Sequence, residues 1–287
     1  MTNRSNQTKG IFFLIIAAFG FAFMSLFIKF VKQSGDPIPV AQMVLFRNGI
    51  SVIVAFTIIF YKKSSFYGSK ENFKWLVLRS SFGTVGMLLY FYSITELDLS
   101  DANMLNKLST FFLIMFSALF LKEKIKTYQF IAILLAFLGS LLIIRPSFNI
   151  EILPYITSIT AAMFAGAAYT VLRVLGKKEE YYTVVLFFSS FSVIVLLPYV
   201  LLFNNAPMNG TQIVFLFLAG ISATVGQFGT TLAYRFAPAN EISIFNYTNV
   251  VFAALLGMMF LGEIPHPMSL IGYAVIFGAA FYIFKKK

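Results

Sequence analysis

The sequence predicts an all-α integral membrane protein of ten transmembrane helices arranged as two inverted five-helix repeats. Three observations carry that expectation. Of the 287 residues 59% are hydrophobic and 11% charged, apolar runs recur from residue 11 to residue 284, and patterns in the first half return in the second. A soluble domain carries about 25% charged residues, whereas a ~30 Å hydrocarbon core asks for ~20 apolar residues per helix. The net charge of +11 does not signal nucleic acid, because Lys and Arg gather at the ends of apolar runs and so read as topology.

Dividing the chain at its charged, Pro, Gly and Asn clusters gives spans at 11–31, 40–61, 73–94, 100–121, 127–145, 152–173, 182–203, 211–234, 241–261 and 268–284. The first, behind Arg4 and Lys9, superficially resembles a signal peptide. It is a transmembrane helix by this reading, because it is ~20 residues long, lacks a small-x-small cleavage site and precedes many further spans. Helices are expected throughout, since their backbone is satisfied within the segment and the runs are too long for ~10-residue barrel strands. The positive-inside rule puts Arg4, Lys9, Lys62, Lys63, Lys70, Lys74, Lys122, Lys124, Lys126, Lys177, Lys178, Arg235 and Lys285 to Lys287 in the cytoplasm. The outer loops then hold Asp36, Glu96, Asp98, Asp101, Glu151 and Glu263, and both termini are cytoplasmic in the cell membrane.

Thr84-Val85-Gly86 recurs 140 residues later as Thr224-Val225-Gly226, and Asn106/Asn246, Phe120-Leu121/Phe260-Leu261 and Glu123/Glu263 share that offset. Val44-Leu45-Phe46 and Ser51-Val52-Ile53-Val54 recur at offset 141 as Val185-Leu186-Phe187 and Ser192-Val193-Ile194-Val195. Collinear matches at a nearly constant offset predict a duplication into residues 1–148 and 149–287, together one transmembrane domain. Five spans per copy force the second to enter from the opposite side, the plan of many secondary transporters.

With Arg47 in "VLFRNGISV", Arg79 opening "LRSSFGTVGMLLYFYSI", and the span ends "FLKEK" and "FLGE" followed by Gly272 and Gly278, the chain resembles the ten-helix EamA-type permeases of the drug/metabolite transporter superfamily over nearly its whole length. That resemblance implies transport of small metabolites such as amino acids, nucleosides or vitamins, and does not choose among them. Lys122 and Ala132 depart from the family's usual glycines. Thr110 and Val250 stand where a proline commonly interrupts the fourth and ninth spans, so proline-linked bending does not carry over.

Lys107 lies in the fourth span, which has no other charge from Ala102 to Leu121. At 3.6 residues per turn it shares a polar face with Ser100, Asn103, Thr110 and Ser117, beside Asn106. The ninth span offers Ser243, Asn246, Tyr247 and Asn249, with Tyr247 in the place of Lys107. Arg47 and Lys107 each fall ~9–12 Å below the outer ends of their helices. An ionisable group at such depth marks a functional site by default; the competing readings are that Lys107 snorkels to Asp98 and Asp101 and that Arg47 bonds helix-end carbonyls. Arg79 reads as an interfacial anchor and Tyr90 and Tyr92 as belt residues. Gln227, a span amide in need of partners, joins the predicted substrate-binding set of Lys107, Arg47, Asn103, Asn106, Asn246, Tyr247 and Gln227. The small residues of "AAMFAGAAY", 161 to 169, read as helix packing.

These residues predict a carrier for a small anionic or zwitterionic organic metabolite, without cofactor, metal or nucleic-acid partner. The absence of an acid in a span centre disfavours organic cations and points to facilitated transport or exchange rather than proton coupling. A channel or lipid-headgroup flippase on the same fold is the alternative. A membrane enzyme is disfavoured, because there is no cysteine, His266 is the one histidine, and no buried acid/base pair is evident.

Overall fold

The computed structural model describes residues 4–63, 66, 68–122, 124–144, 152–175, 178–237 and 242–286. Glu123, Glu151, Lys177, Glu241 and Lys287 lie outside the described residues, as do the side chains of Arg4, Tyr234, Arg235 and Ser243. The helices are α1 (Arg4–Gln33), α2 (Val40–Lys62), α3 (Phe73–Glu96), α4 (Leu99–Asn106), α5 (Ser109–Leu121), α6 (Thr127–Ile144), α7 (Leu153–Leu175), α8 (Tyr181–Phe203) and α9 (Gly210–Phe236). A 3₁₀ stretch (Ser243–Tyr247) then leads into α10 (Thr248–Leu256), a π-helical turn (Gly257–Leu261) and α11 (Pro267–Lys285).

Among the described residues, seven helical stretches are long and apolar enough to cross a membrane, and Thr127–Ile143 and Phe245–Leu261 are shorter apolar ones. The 24 residues of α3 have spanning length but carry Lys74, Arg79 and Glu96. Large apolar side chains such as Phe12, Ile53, Phe60, Leu119, Leu202 and Met259 are exposed, which water would penalise and lipid does not. The protein is a multi-pass membrane protein.

The fourth and ninth predicted spans are not continuous α-helices. Around Lys107 and Leu108 the ladder tightens to i→i+3 bonds, Lys107 N–H donating to Met104 at 3.0 Å and Thr110 N–H to Lys107 at 3.1 Å. In the ninth span a 3₁₀ stretch ends at Tyr247, 140 residues on. Both irregularities form without proline. Lys122 (φ 56) adopts the left-handed conformation that Gly262 (φ 67) takes at the end of the ninth span, one in which glycine alone meets no Cβ penalty.

The principal packing pairs are α1 with α9, α3 with α7, α6 with α11 and α2 with α8. Without water between helices, close approach of small residues drives association. A Cβ on Gly20 of α1 would fall 2.7 Å from the Ser222 carbonyl oxygen of α9, and one on Gly86 of α3 would fall 3.3 Å from that of Ala161 of α7. Gly226, in the second copy of the Thr-Val-Gly triplet, takes Phe21 of α1 against it. The triplets' threonines also act alike: Thr84 bonds the Ser192 hydroxyl of α8, and Thr224 bonds that of Ser51 in α2 at 2.9 Å.

At the end predicted to lie outside, loops are tied across the chain. Gln42 exchanges two 2.9 Å bonds with the backbone of Ala206, Gln212 donates to the Asp36 carbonyl at 2.9 Å, and Lys32 pairs with Glu96 at 2.7 Å. At the opposite end Glu179 accepts from Ser69 N–H and the Asn72 amide, both at 2.8 Å. Burial alone would raise the Glu179 carboxyl, but the bonds from Asn72 and Ser69 outweigh it and hold the group below the usual carboxylate range.

Two outcomes follow from these contacts. The Cβ of Gly272→Ala would fall 2.6 Å from the Gly139 carbonyl oxygen, so thermal unfolding in detergent should show a loss of about 1–3 kcal/mol, whereas Gly278→Ala, with nothing within 4 Å, leaves the melting temperature unchanged or raised. A carboxylate with a depressed folded-state pKa contributes stability above its unfolded pKa and loses it as pH falls through the folded value. Glu179→Gln should therefore flatten part of the decline in melting temperature on the acid side, read from melting curves across that range.

Candidate substrate-binding site

Lys107 is 8% exposed and, among the described residues, its ammonium makes no hydrogen bond or ion pair; the two ion pairs found there are Lys29–Glu263 and Lys32–Glu96. Asp98 and Asp101 do not receive it. Asp101 was expected in an outer loop, but it lies inside α4 at 2% exposure and accepts from the hydroxyls of Tyr273 and Ser269 on α11. The fourth span therefore does bury an acid, but in the first turn of α4 and not at the span's centre. α11 packs close enough to engage a residue that periodicity alone left at the water boundary.

One turn before Lys107, the Asn103 amide donates to the Leu99 carbonyl at 2.7 Å and its oxygen accepts from the Tyr90 hydroxyl at 2.8 Å. The same hydroxyl meets Ser25 of α1 at 3.4 Å, with Asn106 beside it. Tyr90 is thus an interior residue rather than a belt one, turned inward by α1 and α4. Tyr92 does sit at the predicted outer end, in a surface groove with Pro39, Leu88, Leu196, Tyr199 and Asn204. That groove includes none of the predicted site residues.

A second group surrounds Arg47, 1% exposed. One terminal nitrogen donates to Asn48 at 2.6 Å, Asn48 reaches the Met87 sulfur of α3 at 3.6 Å, and the Arg47 Nε has no partner. Arg79 is not an interfacial anchor: it is 6% exposed, its guanidinium carbon lies 4.0 Å from the Phe188 ring centroid, and its Nε and Nη1 are unbonded. Its Nη1 comes 3.3 Å from where a Gly83 Cβ would stand. The side chain therefore runs along α3 toward the membrane interior, over a surface that glycine leaves bare, instead of back toward the end predicted to be cytoplasmic. Arg47 approaches the same stretch of α3 through Asn48, which reaches Met87 one turn beyond Gly83. The Arg79–Gly83 spacing of four residues, one helical turn, was the signal in the sequence.

Tyr169 of α7 joins the two groups, within electrostatic range of both Arg79 and Tyr90. It keeps 41% of its surface accessible between the buried Ala168 and Thr170. The rest of 161–169 is packing: Gly86 abuts Ala161 and Ala165, and Gly166 abuts Phe112. Tyr247 is 4% exposed, its ring edge-on to Phe277 and its hydroxyl without a partner. Asn249 is committed to the Ala18 carbonyl at 2.9 Å. Asn246 and Gln227 are half-buried, and α4 packs against α10. Hydrogen bonds thus gather Asn103 around Tyr90, with Asn106 alongside, and place Arg47 with Asn48; none joins Arg47 to Lys107, or either cation to Asn246, Tyr247 or Gln227.

Glu263 ties these helices together. One oxygen holds Lys29 of α1 at 2.6 Å and the other accepts the Leu99 N–H at the start of α4, also at 2.6 Å. A carboxylate there satisfies a free N-terminal donor and complements the helix dipole. Glu263→Met leaves a nearly buried ammonium and the Leu99 N–H unpaired and should cost roughly 1–4 kcal/mol in thermal unfolding, while adding Lys29→Met recovers the part due to the ammonium, a coupling read from the double-mutant cycle with Lys29→Met alone.

Residues 8–145 and 152–285 each match the EamA-like transporter family. The chain is 27% identical over 97% of its length and 97% of the other's to the pseudopaline exporter CntI of Pseudomonas aeruginosa. Solute carrier family 35 member G1 of Homo sapiens is 26% identical over 89% of this chain and 73% of that one, and an uncharacterized transporter of Helicobacter pylori is 29% identical over 91% and 89%. A crystal structure with 16% sequence identity superposes with a TM-score of 0.66 over 93% of this chain and 95% of its own, a likeness of fold. A multi-pass bundle with broken helices, an interior polar line and two matches of one transporter family leads to one assignment: the chain belongs to the EamA-like transporter family, whose work is movement of small molecules across the membrane.

Proposed function

We propose that the protein is a secondary transporter working by alternating access, built as ten spans in two inverted five-helix repeats, residues 1–148 and 149–287, with both termini in the cytoplasm. The packing supports the repeat reading. The α1–α9 and α3–α7 pairs exchange under it, as do the Thr224–Ser51 and Thr84–Ser192 bonds, and the helix interruptions at Lys107 and Tyr247 fall at equivalent places. Discontinuous helices near the bilayer midplane are where such carriers build their sites.

The solute is a small anionic or zwitterionic organic metabolite. The observation that carries this is the set of interior cations, Lys107, Arg47 and Arg79, with no carboxylate paired to any of them among the described residues. An unpaired cation away from water costs at least ~2.5–3.5 kcal/mol on insertion scales, a cost that an anionic solute relieves. Lys107 and Arg47 are the contacts for the solute's negative charge; Asn103, Asn106, Asn246, Tyr247 and Gln227 hold the remainder. The Tyr247 hydroxyl, buried and unbonded, is the neutral donor best placed by chemistry for that work. The relative named an exporter supports outward movement of an organic solute.

The test is thermal stabilisation of the purified protein across a metabolite panel, since binding to the folded state adds RT ln(1 + [L]/Kd). Carboxylated or zwitterionic solutes should raise the melting temperature, and Lys107→Gln should weaken that binding by about ten-fold or more while the ligand-free protein stays folded. In proteoliposomes the same solutes should show saturable counterflow. Specific stabilisation by organic cations alone would overturn the assignment, and unsaturable flux without counterflow would favour a channel.

A further inference from the structure

Arg79 adds a second guanidinium where one cation would suffice for one carboxylate. Each arginine offers five donors in a planar fork suited to bidentate recognition of an acid. Here Arg47 Nε and Arg79 Nε and Nη1 are buried without partners, and the two side chains converge on one stretch of α3: Arg79 Nη1 lies at Gly83, while Arg47 bonds Asn48, which reaches Met87 one turn further on. Phe188 braces one face of Arg79, and the bare Gly83 surface lets its Nη1 lie along α3. The arrangement holds two forks in place with donors unused, which for a purely structural pair would be destabilising on both counts.

α3 also sets a distance. Gly83, where the Arg79 fork ends, and Tyr90, which bonds Asn103 and Ser25, are seven residues apart, about 10 Å along the helix. Tyr169 flanks both with its accessible ring. Lys107 follows Asn106, the other neighbour of that hydroxyl. The interior thus presents anion-seeking groups at two stations, the arginine pair and the lysine, with neutral polar and aromatic surface between them.

We propose that Arg47 and Arg79 form a two-guanidinium clamp for one acidic group of the solute while Lys107 receives another, so that the transported solute is an elongated organic dianion of the dicarboxylate class. This rests on the anion-transport reading above and narrows it. Arg79 is then a binding residue, and Arg47 works with it rather than with Lys107.

The experiment measures thermal stabilisation of the full chain in detergent by malonate, succinate, glutarate and adipate, beside butyrate and inorganic phosphate at equal ionic strength. Wild type is compared with Arg79→Gln, Arg79→Lys and Lys107→Gln. The diacids should bind more tightly than butyrate, the longer ones best. Arg79→Gln should lower diacid affinity by about ten-fold or more, leave butyrate affinity unchanged, and leave the ligand-free melting temperature unchanged or raised, because an unpaired buried charge is gone; Arg79→Lys should fall between. Diacid binding by Arg79→Gln equal to wild type, or no preference for diacids, overturns the clamp. So does a ligand-free melting temperature lowered in both Arg79 variants, the mark of a structural arginine. Diacid binding lost in Lys107→Gln but untouched by the Arg79 variants would sink the clamp and leave the anion-transport reading standing, whereas no stabilisation by any acid removes both. Phosphate binding equal to that of the diacids overturns the elongated class in favour of a compact anion.

Discussion

Inside a hydrocarbon layer a charge has no water to fall back on, so every ion must find a partner in the protein or wait for one that arrives. The two ends of this bundle follow the first course. Glu263 answers both Lys29 and the exposed N–H of Leu99, and Glu96 answers Lys32. The interior follows the second, since Arg47, Arg79 and Lys107 are buried and, among the described residues, none pairs with a carboxylate. That contrast is what supports the proposed reading of the middle of the bundle as the site and of its ends as structural.

Packing supplies the frame that makes this contrast tolerable. Glycines let α1 meet α9, α3 meet α7 and α6 meet α11 at backbone contact, where dispersion and interhelical hydrogen bonds replace the missing hydrophobic drive. The hydroxyl pairs Ser51–Thr224 and Thr84–Ser192 pin α2 and α8 to those units. Held this way, α2 and α3 can keep two arginines near one another without collapsing onto an acid.

The interruptions in the fourth and ninth spans belong to the same economy of polar groups. A helix that tightens to i→i+3 bonding at Lys107 changes the direction of its side chains across one turn and does so without proline. Glu263 caps the start of α4, and Asn103 bonds back to Leu99, so the short α4 is secured at its first turn and in its middle. The lysine sits at its end, where an irregular backbone is tolerated only because protein or water surrounds it.

Much was legible in the sequence because it depends on local composition and period. Hydrophobic length located helical stretches near the observed ones, and the two Thr-Val-Gly triplets pointed to residues at close helix contacts, Gly86 against α7 and Gly226 against α1. The small-residue run at 161–169 read correctly as packing, with Tyr169 the exception. The interior of the site was legible only in part. Lys107, Arg47 and Asn103 stood out because a charge or amide in an apolar run is conspicuous wherever its helix lies. Arg79, Tyr90 and Asp101 were misplaced because depth along a helix does not say which neighbour faces a side chain. Phe188 and Gly83 turn Arg79 inward, α1 and α4 claim the Tyr90 hydroxyl, and α11 encloses Asp101. The sequence by itself determined that the chain crosses a membrane and which residue types would be costly there; only the tertiary structure decided which of those costs are met within the protein and which are left open, because partnership depends on helices brought together from distant parts of the chain.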